Sequence, residues 1–175
     1  MHLIVAEKNI SARRIAEILA GGKRVAEQKD GGDSTYHFGD TVTVGLRGHV
    51  VEIDFEPGYQ NWRSETATPR SLIDAKTIKV PTEKKIVSLL QKLAKKADRV
   101  TLATDFDTEG ELIGKEAYEL VRAANKKVTI DRARFSAITA QELNHAFANT
   151  TELDFALAAA GEARQSIDLM WGASL

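Results

Sequence analysis

Three acids stand at alternate positions, Asp105, Asp107 and Glu109, after a short apolar and β-branched run and directly before a helical pattern. Residues 100–103 suit a buried strand. Gly110 follows the acids, and Leu112, Ile113 and Ala117 then begin an apolar stripe at helical spacing. Thr108 with Glu111 three residues on fits a capping box at that helix start. A strand whose end throws carboxylates into a turn before a helix points to an α/β fold, and in open α/β sheets that edge binds ligands.

Extended spacing puts Asp105 and Asp107 on the same side of the chain, close enough to share a cation. Carboxylates that close repel, so one holds a proton or a metal sits between them. The same residues also suit a plain acidic helix start favoured by the helix dipole. A third pattern fits as well. Asp105, Asp107, Glu109, Gly110 and Glu116 match a calcium-binding loop, with Glu109 at the third ligand position. Such a loop follows a helix and carries a polar group at its ninth position. Here a β-type run precedes it and Ile113 stands at the ninth.

At 175 residues the chain is long enough for one self-sufficient core, and 43% apolar with 28% charged residues is a globular composition. It has no cysteine, which excludes a disulfide framework and any thiolate ligand or nucleophile. No apolar run approaches a membrane span and no signal-peptide pattern opens the sequence, so a cytoplasmic location without membrane contact is expected. The net charge of −1 gives no support for nucleic-acid binding. Basic residues do gather locally, in Arg13, Arg14, Lys23 and Arg24, over residues 84–96, and over residues 126–134. The middle group reads as the solvated face of a helix.

Taken in order, residues 3–6 form a buried-type strand ending on Glu7 and Lys8, and Ser11 is placed to cap a helix carrying Ile15, Ile18 and Leu19. Residues 23–34 read as a polar, glycine-rich loop. Short strands are expected over 36–38, 41–46 and 49–54, with Gly39 and Asp40 as a hairpin turn. Residues 55–81 hold all three prolines and read as a long irregular connection containing Tyr59 and Trp62. A helix from Thr82, the acidic strand and its helix to about Ala124, and a strand from Lys127 follow. Thr139 and Glu142 suit a second capping box, and an alanine-rich helix runs from Glu152 to about Leu169. This order predicts a mostly parallel sheet with helices on both faces over 1–149, and a last helix over 150–175 that begins an adjoining domain.

Five motifs together resemble the Toprim domain of type IA DNA topoisomerases. They are Ile4-Val5-Ala6-Glu7-Lys8; Gly48-His49-Val50; Ala103-Thr104-Asp105-Phe106-Asp107-Thr108-Glu109-Gly110-Glu111; Arg134-Phe135-Ser136-x-x-Thr139; and Ala163-Arg164-Gln165-x-x-Asp168-x-x-x-Gly172. The archaeal topoisomerase I and topoisomerase III branch looks nearest. Phe106 and Thr108 stand where many members carry proline and arginine, and threonine there resembles the archaeal pattern. Primases and nucleases also use Toprim domains, but the Arg164 to Asp168 continuation is not expected in them.

The resemblance implies a Rossmann-like Toprim fold and an acidic active-site group of Glu7, Asp105, Asp107 and Glu109. It implies Mg²⁺ at Glu7, Asp105 and Asp107, needed mainly for strand passage and rejoining. It places Lys8 against a phosphate, His49 on DNA near the scissile site, and Arg164, Gln165 and Asp168 along the DNA groove. Glu7, pressed against the two aspartates, suits a general acid. Glu111 is assigned to helix capping before catalysis. The implied partners are a single-stranded segment of negatively supercoiled DNA, the remainder of a topoisomerase chain and a helicase, with nucleoid association. The family's nucleophile is a tyrosine in a later domain. Tyr36, Tyr59 and Tyr118, this sequence's three tyrosines, lack that motif's context, so a fragment holding half an active site is expected.

Overall fold

The computed structural model describes residues 1–61 and 68–174. Along the chain run β1 (His2–Ala6), α1 (Asn9–Leu19), β2 (Ala26–Asp30), β3 (Asp33–Phe38), β4 (Thr41–Gly45), β5 (Val51–Phe55) and α2 (Pro69–Ile73). There follow β6 (Thr77–Pro81), α3 (Lys84–Ala94), β7 (Arg99–Ala103), α4 (Thr108–Ala124), β8 (Thr129–Arg132), α5 (Ala140–Ala148) and α6 (Phe155–Ser174). Six strands form one sheet in the order β2, β3, β4, β1, β7, β8, and β5 pairs with β6 in a separate ribbon. β4, β1, β7 and β8 are parallel neighbours, while β2, β3 and β4 are antiparallel.

The central strands β1, β4 and β7 are buried at every position after the first because both faces of the sheet are covered. Leu3, Val5, Val100 and Leu102 point to one side, where they meet Ile86 and Leu90 of α3 and Ile113, Ala117 and Val121 of α4. Ile4, Ala6 and Ala103 point to the other, against Ala12, Ile15 and Ala16 of α1 and Leu143 and Ala146 of α5. The expected mostly parallel α/β sheet with helices on both faces is what the chain forms. Lys84, Lys85 and Lys92 lie exposed along α3, with Lys95 and Lys96 exposed just past its end, so the middle basic cluster is a solvated helix face. Among the described residues no helix is long and apolar enough to cross a membrane.

Several local expectations are corrected. Residues 26–30 are a strand rather than loop, exposed throughout and held by pairing with β3 around the turn at Gly31 and Gly32 and by the Asp30–Lys92 ion pair. With no apolar alternation, that strand carries no local signature. The first helix starts at Asn9 with Lys8 at its cap position, ahead of Ser11. The stretch 55–81 contains α2 and β6, the latter completing the ribbon with β5; Trp62 lies outside the described residues. α3 starts at Lys84 and α6 at Phe155, each two or three residues later than predicted. The hairpin at Gly39 and Asp40 is present between β3 and β4.

Candidate metal and phosphate site

β1 and β7 run side by side with Ala6 opposite Ala103, so the residues after both strands emerge at one point of the sheet edge. There the Asp105 amide donates to Glu7 Oε2 at 3.2 Å. Glu7 is only 8% exposed, whereas Asp105, Asp107 and Glu109 are open to solvent. Loss of water pushes the Glu7 carboxyl above the usual glutamate range. The Asp105 amide opposes this, the charges of Asp105 and Asp107 add to it, and Lys8 counteracts it. Lys8 is exposed beside this group.

The acidic turn is braced by its own backbone. Asp107, not Thr108, caps α4, its Oδ1 accepting from the Gly110 amide at 2.6 Å. Thr104 Oγ1 donates to the Gly110 carbonyl at 2.7 Å. A Cβ at Gly110 would fall on the Asp105 carbonyl oxygen and lie 2.8 Å from its carbon, so the turn closes only around glycine.

Glu111 is not the capping residue its spacing suggests. It is fully buried with Arg132, whose Nε donates to Glu111 Oε1 at 2.8 Å. The same guanidinium donates from Nη1 to the Thr104 carbonyl at 2.8 Å and from Nη2 to the Asp105 carbonyl at 2.9 Å. Glu111 Oε2 accepts from the Asp154 amide at 3.2 Å, tying the approach to α6 into the same knot. Nothing in the sequence around Arg132 marks it, because Glu111, Thr104 and Asp105 lie 21 to 28 residues away along the chain. The second expected box is half realised. Thr139 caps α5, but Glu142 accepts from the Ser136 and Ala137 amides instead.

His49 stands next to this loop. Its Nδ1 lies 2.8 Å from Glu116 Oε1 and its Nε2 3.3 Å from Glu109 Oε1. Glu116 Oε2 accepts from the Val50 amide at 3.2 Å. The Glu116 hydrogen bond, outweighing burial, raises the His49 pKa above the ordinary histidine value, and the Glu109 charge adds to it. The calcium loop is thereby overturned. β7 precedes the turn where that loop needs a helix, and Glu116, its closing ligand, is turned to His49. Phe106 is half exposed under the Arg134 guanidinium, 5.5 Å from the ring centroid.

Among the described residues no three histidine, aspartate or glutamate side chains stand ready as a closed cation cage. The donors still suit a magnesium ion, which keeps several waters and takes one or two carboxylates from protein. Asp105 and Asp107 are exposed at the rim, Asp107 commits one oxygen to its cap, and Glu7 lies behind them. Arg164 and Asp168 are exposed on α6, Gln165 is half-buried, and no ion pair joins Arg164 to Asp168 among the described residues.

A mostly parallel sheet with paired acids at its edge, a capped helix start and a glycine-closed turn defines a class, and the family model for the Toprim domain matches residues 2–138. The chain belongs to the Toprim family. It is 50% identical over 176 residues to DNA topoisomerase 1 of Archaeoglobus fulgidus, covering 99% of this chain and 26% of that protein. It is 38% identical to DNA topoisomerase 1 of Thermoplasma acidophilum (99% and 22%) and 31% identical to DNA topoisomerase 3 of Caenorhabditis elegans (98% and 24%). The fold is similar to that of one part of topoisomerase I from Thermotoga maritima, with a TM-score of 0.62 at 24% identity, over 96% of this chain and 24% of that one. The resemblance to the archaeal topoisomerase I and topoisomerase III branch is borne out, and the chain spans about a quarter of the length of these relatives.

Proposed function

We propose that this chain supplies the acidic half of a type IA DNA topoisomerase active site, acting on a single-stranded segment of negatively supercoiled DNA. The observation that carries this is the hydrogen bond from the Asp105 amide to Glu7, which joins the ends of β1 and β7 in one pocket. Asp105 and Asp107, with Glu7, would hold Mg²⁺, which when bound supplies positive charge beside the phosphate. Glu7, whose carboxyl is pushed above the usual glutamate range by burial and by its acidic neighbours, is placed to give a proton to the leaving 3′-oxygen. Lys8 and His49 take phosphate oxygens, the first as a compact point charge. Glu109 completes the acidic group beside His49.

On this reading the nucleophilic tyrosine comes from another part of the whole protein: Tyr36 is buried with its hydroxyl on Asn9, and Tyr118 packs against Phe155 and Arg122. The Toprim unit ends near residue 149, and α6 belongs to the adjoining groove-forming domain. In support, α6 leaves Arg164 and Asp168 free for DNA and exposes Ile167 and Trp171, a poor surface to leave in water. A helicase partner and a nucleoid-associated, cytoplasmic location accompany this reading.

The test is a chimera in which this chain replaces the matching segment of the Archaeoglobus fulgidus enzyme. The chimera should relax negatively supercoiled plasmid with Mg²⁺, and Asp105→Asn with Asp107→Asn should abolish relaxation. Full relaxation by the doubly neutralised chimera would contradict the proposal.

A further inference from the structure

Glu116 sits on the apolar face of α4, beside Ile113 and Ala117, and is 5% exposed. A carboxylate there costs stability against an apolar residue of the same size unless its partners compensate. Its partners are few and specific. One oxygen faces His49 Nδ1 and the other accepts from the Val50 amide, so the carboxylate grips the 49–50 segment by both ring and backbone. Gly48, with φ of 80°, lets the chain turn so that the ring meets α4. The far side of the ring is different. Nε2 meets Glu109, which is 69% exposed and two helical turns before Glu116 on the same helix. The imidazole thus lies along α4 between one fixed carboxylate and one that solvent can displace.

We propose that Glu116 is the positioning residue for His49, holding the ring by a protonated Nδ1 so that Nε2 is presented to a DNA phosphate oxygen, with Glu109 occupying Nε2 until the phosphate arrives. This rests on the reading of His49 as a phosphate contact. A buried acceptor at one ring nitrogen sets the tautomer and orientation of the other, as it does for histidines in metal and catalytic sites. Glu116 and Glu109 are the charged groups facing the ring, and both favour the imidazolium. A cationic ring makes the phosphate contact charge-assisted. In Glu116→Gln the amide oxygen still accepts from Val50, so its NH₂ turns to Nδ1 and makes that nitrogen an acceptor. The ring is then less readily protonated.

The experiment compares this chain with its Glu116→Gln, His49→Ala and doubly substituted variants, using ¹⁵N imidazole shifts and the salt dependence of binding to a single-stranded oligonucleotide. Glu116→Gln should move the midpoint of the His49 ring titration to lower pH and, between the two midpoints, lower the slope of log K against log salt by up to about 0.7, one phosphate contact on a single strand. His49→Ala should lower the slope equally, and the double variant no further. Unchanged ring signals and an unchanged slope in Glu116→Gln, with His49→Ala weakened, would overturn the role of Glu116 alone. An unchanged His49→Ala would instead overturn the phosphate role of His49 beneath it.

Discussion

The Asp105 amide donates to the Glu7 carboxylate at 3.2 Å although 98 residues separate them. That bond follows from the pairing of β1 with β7, which brings Ala6 level with Ala103. It sets a buried acid behind two exposed ones. Burial and the two neighbouring charges, working against that hydrogen bond, disfavour the ionised form of Glu7 in the folded chain.

This fixes the sign of a pH effect. With its folded pKa above the unfolded value of 4.5, Glu7 holds more proton in the native state across that interval. Its stabilising contribution is complete below the unfolded pKa and is lost as pH rises through the folded one. Glu7→Gln should therefore be more stable than the natural chain at pH 7 to 8 in metal-free buffer. The advantage should vanish near pH 3.5, as urea denaturation across pH would show.

Arg132 and Glu111 are both fully buried, and removing either leaves a charge without its partner. Arg132→Ala or Glu111→Ala should each cost about 3–5 kcal/mol in denaturant unfolding. Arg132→Lys should recover little, because an ammonium cannot replace the planar fork that reaches Glu111 and the Thr104 and Asp105 carbonyls together.

Gly110→Ala should cost about 3 kcal/mol or more, at or above the top of the usual overpacking range, because its methyl meets backbone rather than a movable side chain. Thermal unfolding measures the loss. The amide signals of residues 105–110 should shift in the same variant.

Glu109→Gln removes a displaceable negative charge from beside His49. Single-stranded DNA affinity should rise severalfold at low salt, and the gain should shrink as the Debye length falls to about 3 Å near 1 M. Fluorescence anisotropy against salt gives the comparison.

The frame was readable because its determinants are local. Apolar runs at β1 and β7 need two covered faces, and the periodicity after Gly110 needs a helix. The acids at the two strand ends could be read for the same reason. What stayed hidden depends on partners distant in sequence. Glu111 looks like a capping residue until Arg132, 21 positions on, claims it, and Glu116 looks like a calcium ligand until His49, 67 positions earlier, does the same. β2 is invisible because an exposed edge strand held by backbone pairing with β3 needs no apolar side chains. Asp107 displaced Thr108 as the cap because Asp107 takes the extended backbone that a cap residue adopts.

The most direct measurement is a Mg²⁺ titration of the chain followed by backbone amide shifts. Saturable changes confined to Glu7, Lys8 and residues 105–110, and abolished by Asp105→Asn with Asp107→Asn, are the predicted result. Shifts that leave those amides unmoved, or that persist in the double variant, would contradict a divalent-ion site built from the ends of β1 and β7.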